Sequence, residues 1–209
     1  LVEDARAMGV TVLPPDINIS EWFFTVPDEK TVRFGLGAIK GVGQNVVEEI
    51  LDERLMNGPY LDIFDLAARV PAVNRKILEQ MVRAGAFDSI DPDRGKLFGN
   101  VQQALSAAHT VAASIGQASL FADENGVEER IVSWVAAERW DDRRRFAEEK
   151  LAYGFCLTGD MFEPYRNEVR SFSQPFGSVT MGKTLQTIAG IVPEAVWTYF
   201  SREENRKIV

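Results

Sequence analysis

The residues best placed to do chemistry are two glycines, Gly41 and Gly43, which precede a run with helical spacing. Val46, Val47 and Ile50 recur at the intervals of an amphipathic helix. Glycine permits backbone angles that other residues resist, so a tight turn is expected before that helix. The first turn of a helix carries unpaired N–H donors and the positive end of the helix dipole, which together favour a phosphate group. The chemistry indicated is therefore anion binding by main-chain amides.

The stretch before the glycines, Phe34 to Ile39, is apolar and short, and it predicts a first helix ahead of the turn. A short helix, a tight hairpin and a second helix resemble the helix-hairpin-helix motif. That motif binds the DNA backbone whatever the DNA sequence. An ordinary helical hairpin with a glycine-rich turn is the alternative. By the resemblance, the residues of this turn that contact DNA are Lys40, Gly41, Val42, Gly43, Gln44 and Asn45.

A second helical hairpin is predicted over residues 63–85. Its second helix has Asn74 as the capping residue and Gly85 as the terminating one. The apolar face of that helix consists of Ile77, Leu78, Met81 and Val82. Arg75, Lys76 and Arg83 flank this face and could reach phosphates, although a solvated helix face explains each cation equally well. The second group of predicted DNA contacts is Asn74, Arg75 and Lys76.

The composition limits the classes of function that are open. The 209 residues carry a formal net charge of −8, which argues against binding nucleic acid by bulk positive potential. From Arg69 to Arg83, however, four cations face a single anion, so a local basic face is expected. One cysteine and one histidine make a zinc site a poor prediction, and His109 has no partner for catalysis. No run is apolar and long enough to cross a membrane, and the cysteine usage suits the cytoplasm.

The rest of the chain predicts a mainly α fold with a short N-terminal β segment. A helix end at residues 4–8 is followed by strands at 10–13, 21–26 and 31–34, with Trp22, Phe23 and Phe24 assigned to the core. Helices are expected over 94–115 and 138–153, and Leu151 is placed on the buried side of the second. Residues from 184 onward alternate as strands, and the chain ends inside one, as though cut from a longer protein.

Several motifs stand in a fixed order along the chain. Leu13-Pro14-Pro15-Asp16-Ile17-Asn18 precedes the glycine turn, and Asn74-Arg75-Lys76-Ile77-Leu78-Glu79 and Ala84-Gly85-Ala86-Phe87-Asp88 follow it. In this order they resemble the alpha subunit of bacterial replicative DNA polymerase, polymerase III of family C. The Gly-His-Pro that the family has near residue 159 is replaced here by Gly159-Asp160-Met161, so no role is carried onto those positions.

The resemblance implies five parts. These are the end of a fingers-type region at 1–32, a tandem helix-hairpin-helix domain at 33–115, a loop at 116–136, a helical linker at 137–183 and the truncated start of an OB-fold domain at 184–209. Aromatic residues of the OB-fold part, Trp197, Tyr199 and Phe200, are assigned to its core rather than to base stacking.

An apolar pair, Leu120 and Phe121, lies between a helix and an acidic tract, in what is predicted to be an exposed loop. With the three residues before it, the pair resembles the sliding-clamp-binding motif of the same polymerase family. The implied clamp contacts are Gln117, Ala118, Ser119, Leu120 and Phe121. A loop that folds back onto its own core is the alternative.

By the resemblance, the parent protein is a DNA-directed DNA polymerase that uses Mg²⁺ held by aspartates of its palm. All the matched motifs follow the palm, so no catalytic residue, metal ligand or cofactor is expected in this chain. Its expected partners are double-stranded DNA, the sliding clamp (beta subunit) and other subunits of the replicative holoenzyme. The alternatives are an error-prone paralogue, a repair or junction-binding module with tandem hairpins, and a non-enzymatic clamp or DNA adaptor.

Overall fold

The polypeptide begins with a small sheet and continues as a cluster of helices. In a computed structural model, which describes residues 2–118 and 133–159 together with Asn167, the chain divides into Leu1–Gly159 and Asp160–Val209. The helices are α1 (Val2–Ala7), α2 (Gln44–Asn57), α3 (Ile63–Arg69), α4 (Arg75–Arg83), α5 (Arg94–Gly99), α6 (Val101–Ala118) and α7 (Asp142–Tyr153). A 3-10 helix covers Leu36–Ala38. The mainly α prediction with a short N-terminal β segment is confirmed, and residues 184–209, where OB-fold strands were predicted, lie outside the described residues.

The sheet has three strands, β1 (Thr11–Leu13), β2 (Thr25–Asp28) and β3 (Thr31–Arg33), in the order β1-β3-β2. β3 pairs in parallel with β1 and antiparallel with β2. Pro27 is tolerated because β2 is an edge strand, where a missing N–H donor leaves no ladder bond unmade.

The predicted strand over 21–26 is wrong for residues 21–24. These residues are not in a strand, and they pack against the 3-10 helix. The carbonyls of Glu21 and Trp22 accept hydrogen bonds from the amides of Leu36 (2.8 Å) and Gly37 (3.1 Å). The Trp22 indole covers Gly37 so closely that a Cβ there would meet it at 2.6 Å. Phe23 and Phe24 are consequently exposed, which corrects their assignment to the core.

The core joins both helical hairpins. α4 is held by the predicted Asn74 cap, whose side chain accepts from the amide of Ile77 at 3.1 Å, and the predicted apolar face of α4 is buried. α4 ends just before Gly85, as predicted, and α2 ends at Gly58; both glycines have positive φ. The largest buried side chains contributed by the two hairpins are Leu36, Ile39, Ile50, Tyr60, Ile63, Leu66, Leu78 and Met81.

The single helix predicted over 94–115 is two helices that meet at Asn100. The buried Asn100 amide donates to the carbonyls of Lys96 and Val135, both at 2.8 Å, and its oxygen accepts from the amide of Val135 at 2.7 Å. An asparagine that bonds a distant main chain competes with helix continuation, which explains the break. α6 then continues to Ala118, past the predicted end at residue 115.

The segment from 133 to 141 forms neither helix nor strand and lies along α5, so α7 starts at Asp142 rather than near Glu138. Side chains at Gly95 and Gly99 would collide with this segment, at Glu138 and Ala137 respectively. Trp134 packs edge-on against Phe64 of α3, with ring centroids 4.9 Å apart. α7 buries Phe146 and Tyr153, but Leu151 is exposed, contrary to prediction.

Candidate nucleic-acid interface

The turn of the first hairpin joins the 3-10 helix to α2. Gly41 has φ of +80°, a conformation that side chains disfavour, so glycine is required there by the backbone. Gly43 is the N-cap of α2 and is extended, with φ of −84° and ψ of 155°, which any residue can adopt. A Cβ at Gly43 would have nothing within 4 Å, so this position opens onto free space. Of the two glycines, only Gly41 is needed to make the turn.

The N-terminus of α2 has no side-chain cap. Its first intrahelical bond runs from the amide of Val47 to the carbonyl of Gly43 (3.2 Å), which leaves the amides of residues 44–46 without a helical partner. The Gln44 side chain does not cover them, because its amide donates to Glu48 at 2.8 Å. By contrast, α3, α4, α5 and α7 are each capped by an Asp or Asn side chain. The predicted amide surface is therefore exposed and uncapped.

The second hairpin places one cation at the turn of the first. Lys76 is exposed, and its Cε lies 3.7 Å from the point where a Cβ of Gly41 would be. Arg75 is also exposed and is paired with Glu79 at 2.7 Å, while the Asn74 side chain is occupied by its cap. Of the second group of predicted residues, Lys76 is thus the one that the fold brings to the glycine turn.

Lys40 is held against the end of α7. Its amide donates to the carbonyl of Ala152 at 2.9 Å, and its ammonium lies 2.8 Å from the Cβ position of Gly154, the C-cap of α7. A cation at a helix C-terminus is favourable because that end of the dipole is negative. Lys40 therefore fixes the turn to α7, and its charge is partly balanced there.

Two other cations of the expected basic face are used inside the protein. Arg83 pairs with Glu148 at 2.7 Å and stacks over Phe98, 4.9 Å from the ring centroid. The prediction that Arg83 points to solvent is therefore wrong. Arg69 pairs with Glu53 at 3.0 Å and with Asp65 at 3.1 Å. The hydrogen bond from Arg69 lowers the pKa of Glu53 below its usual value. The basic face is therefore reduced to Arg75 and Lys76.

Behind the second hairpin lies a buried charge network that the sequence interpretation missed. Arg94 is 2% exposed and bonds Asp88 at 2.6 Å and Glu149, itself 0% exposed, at 2.8 Å. Burial by itself would lower the pKa of Arg94, but the hydrogen bond and charge of Asp88 and those of Glu149 outweigh burial and raise it. Nothing local in the sequence distinguishes Glu149 from its neighbour Glu148.

The five predicted clamp contacts fall partly outside the described residues. Gln117 and Ala118 form the end of α6, so the expectation that a loop begins at residue 116 is wrong for residues 116–118. Ser119, Leu120 and Phe121 lie beyond the part of the chain that the structure describes. His109 is an exposed helix residue.

Within residues 2–118 and 133–159, no group of three or more His, Cys, Asp or Glu side chains could hold a metal ion. None of the helices described there is long and apolar enough to span a bilayer.

Comparison with known proteins extends the resemblance. Residues 9–97 match the helix-hairpin-helix motif family. Over 174 residues the chain is 40% identical to the DNA polymerase III subunit alpha of Neisseria meningitidis serogroup A, a match that covers 82% of this chain and 15% of the relative. It is 36% identical over 177 residues to the Escherichia coli K12 subunit (82% and 15%) and 35% identical over 178 residues to that of Vibrio cholerae (83% and 15%).

The chain spans about 15% of the length of the relatives that it matches. The two hairpins, the motif order and the identity over four-fifths of the chain agree with one another. This protein therefore belongs to the family of DNA polymerase III alpha subunits, of which it carries the helix-hairpin-helix segment.

Proposed function

We propose that this chain is the part of a replicative DNA-directed DNA polymerase that grips duplex DNA by its backbone. The observation that carries the proposal is the uncapped N-terminus of α2, whose free amides open past Gly43, together with the Lys76 side chain at the same turn, whose Cε lies 3.7 Å from the Cβ position of Gly41. Amides at a helix N-terminus and a neighbouring cation form an anion-binding arrangement that suits one backbone phosphate. Such contacts position the duplex without reading its sequence, as copying any template requires.

The charge of the chain limits how much of the affinity this segment supplies. With a net charge of −8, it does not attract DNA over its whole surface, and the grip is confined to the turn. We propose that nucleotide addition itself, with its Mg²⁺ ion, takes place on carboxylates elsewhere in the polymerase, which works in the cytoplasm with the other subunits of its holoenzyme.

Replacing Lys76 with alanine tests the grip. Because each phosphate neutralised by a cation releases counterions, the slope of log affinity for a duplex against log salt should fall by about one, with affinity reduced equally for different sequences. Fluorescence anisotropy at several salt concentrations measures this slope. Lys96→Ala is the matched control, since the Lys96 ammonium already pairs with Asp91 at 2.7 Å and covers the Trp134 ring. A slope unchanged by Lys76→Ala would remove Lys76 from the interface.

We propose further that Gln117 to Phe121 docks on the sliding clamp. α6 is 18 residues long and carries Gln117 and Ala118 in its last turn, so the start of the motif stands at the end of a regular helix. An apolar pair that buries in a pocket of the partner is the usual anchor of such short motifs.

Replacing Leu120 and Phe121 together with alanine should abolish binding to the clamp and leave duplex affinity unchanged. The two side chains supply the apolar anchor, whereas the amide surface at Gly43 is untouched. Titration of fluorescent clamp measures the first effect and anisotropy with duplex the second. Gln103→Ala, at an exposed position on α6, is the control. Clamp affinity that survives the double replacement would refute the assignment.

A further inference from the structure

Two phenylalanines, Phe24 and Phe155, form an exposed aromatic patch beside the hairpin turn. Phe24 is 53% exposed and Phe155 is 38% exposed. Both rings contact Phe34, whose ring centroid lies 4.5 Å from that of Phe24 and 6.1 Å from that of Phe155. The Tyr153 ring lies 5.8 Å from the rings of both Phe34 and Phe155. Phe34 and Tyr153 are buried, so the patch is the exposed part of a larger ring cluster.

The fold holds the aromatic patch in place. Gly154 ends α7 with φ of +94°, a left-handed conformation that turns the chain so that Phe155 packs on Phe34. The Tyr153 hydroxyl donates to the carbonyl of Ala84 at 2.6 Å, which anchors the end of α7 to the end of α4. A surface that is ordered before binding loses little conformational entropy when a ligand covers it.

A cation lies at the edge of the aromatic patch. The Lys40 ammonium is 2.8 Å from the Cβ position of Gly154, the residue before Phe155. Lys40 is exposed, and among residues 2–118 and 133–159 no carboxylate forms an ion pair with it. Lys40 also precedes Gly43 by only three residues, so at most about 11 Å of backbone separates the two. The aromatic patch therefore adjoins the proposed phosphate site.

The size of the aromatic patch indicates a small ligand. Together, Phe24 and Phe155 expose about as much surface as one whole phenylalanine side chain, roughly 200 Å². Each partner in a standard protein–protein interface buries about 800 Å², so the patch is too small to dock another protein by itself. Its area suits one or two flat rings.

The groups at the aromatic patch match the chemistry of an unpaired nucleotide. Exposed aromatic rings stack on the faces of bases and a neighbouring cation meets the backbone, and in this way proteins bind single strands of any sequence. The bases of an intact duplex are already stacked on one another. Only an unpaired base can therefore reach the rings.

We propose that Phe24 and Phe155 stack an unpaired base of the strand held by the amides past Gly43, while Lys40 contacts the phosphate of that nucleotide. The inference rests on the proposed DNA grip and specifies its substrate as a duplex that continues as a single strand. The rings hold the strand at the point where it leaves the duplex.

Duplexes with and without a single-stranded extension test this proposal. A blunt duplex, the same duplex with a short thymidine extension and one with an abasic extension of equal length are bound to the 209-residue chain, and fluorescence anisotropy measures each affinity. Each strand is extended in turn. The thymidine extension should bind at least about fivefold more tightly than the abasic one, since one stacked base contributes a factor of this size or more. The abasic extension has the same phosphates, so the comparison isolates stacking.

Leucine substitutions assign the effect to the aromatic patch. Phe24→Leu and Phe155→Leu keep an apolar side chain against Phe34 but remove the aromatic face. Together they should abolish the gain from thymidine and leave the affinity for blunt duplex unchanged, whereas Phe155→Tyr should retain the gain. Phe23→Leu is the matched control, because Phe23 is 74% exposed and its ring pairs with Trp22, with centroids 6.5 Å apart. Circular dichroism verifies that each variant is folded.

Each other result overturns the inference. Equal affinity for thymidine and abasic extensions shows that no base is stacked. A gain that survives the double leucine substitution places the stacked base elsewhere in the chain, and a gain lost equally in Phe23→Leu is not specific to the aromatic patch. The blunt duplex tests the DNA grip by itself, so failure of the grip is distinguished from failure of the base site.

Discussion

Gly43→Asp should weaken duplex binding by at least about tenfold while leaving the fold intact. The backbone at Gly43 suits any residue, and a Cβ there meets nothing within 4 Å, so the replacement causes no strain. Aspartate is also a better N-cap than glycine, and α2 should be stabilised by a few tenths of a kcal/mol. The carboxylate would, however, occupy the free amides and place a negative charge where the phosphate is proposed to lie.

Gly43→Asn separates the effect of the new charge on duplex binding from the effect of the new side chain's size. Asparagine has the same shape and caps as well as aspartate, so both variants obstruct the amides to the same degree. The expected order of duplex affinity is wild type, then Gly43→Asn, then Gly43→Asp, with the gap between the two variants shrinking as salt is raised. Anisotropy measures affinity, and thermal unfolding verifies that neither variant has lost stability. Equal affinity of all three proteins would contradict the phosphate grip.

Glu149→Ala should destabilise the protein by about 3–5 kcal/mol, the range for a buried ion pair that loses one member. Glu149 receives hydrogen bonds from Arg94, from the amides of Leu157 and Thr158, both at 2.9 Å, and from the Thr158 hydroxyl at 2.6 Å. Its removal leaves the two amides and one N–H group of Arg94 without their carboxylate acceptor in the interior, while Asp88 still pairs with Arg94.

Urea unfolding followed by circular dichroism measures this loss. Asp142→Ala on the same helix is the control, since Asp142 forms an exposed pair with Arg145 at 3.2 Å, and such pairs contribute about 0–1 kcal/mol. If the two variants unfold at the same urea concentration, the buried network does not stabilise the fold as proposed.

The features that the sequence predicted correctly depend on short-range physics. The Asn74 cap, the buried face of α4 and the end of α4 at Gly85 all follow from residues within one or two turns. The break at Asn100 does not, because its cause is a bond to Val135, 35 residues further along the chain. Trp22 likewise leaves the strand pattern because it lies on Gly37, a contact that alternation does not encode.

The candidate interface also has features that follow from local sequence and features that depend on tertiary packing. The glycine turn and the uncapped α2 were predictable from Gly41, Gly43 and the apolar run after them. That Lys76 reaches this turn, while Arg83 is drawn inward by Glu148, depends on how the two hairpins and α7 pack. The sequence shows that a residue is charged and which kinds of group it could bind. Which group it contacts depends on the tertiary structure.

The contacts of α7 have a consequence for the time course of synthesis. The Tyr153 hydroxyl donates to the carbonyl of Ala84 at 2.6 Å, and Lys40 of the hairpin turn bonds Ala152. The hairpins themselves are complete once residue 97 has been added, yet the surface that they bury against α7 and Leu157 waits for sixty more residues. At bacterial and eukaryotic translation speeds this takes roughly 3–12 s. During that interval the nascent chain on the ribosome displays an apolar surface that chaperones can bind.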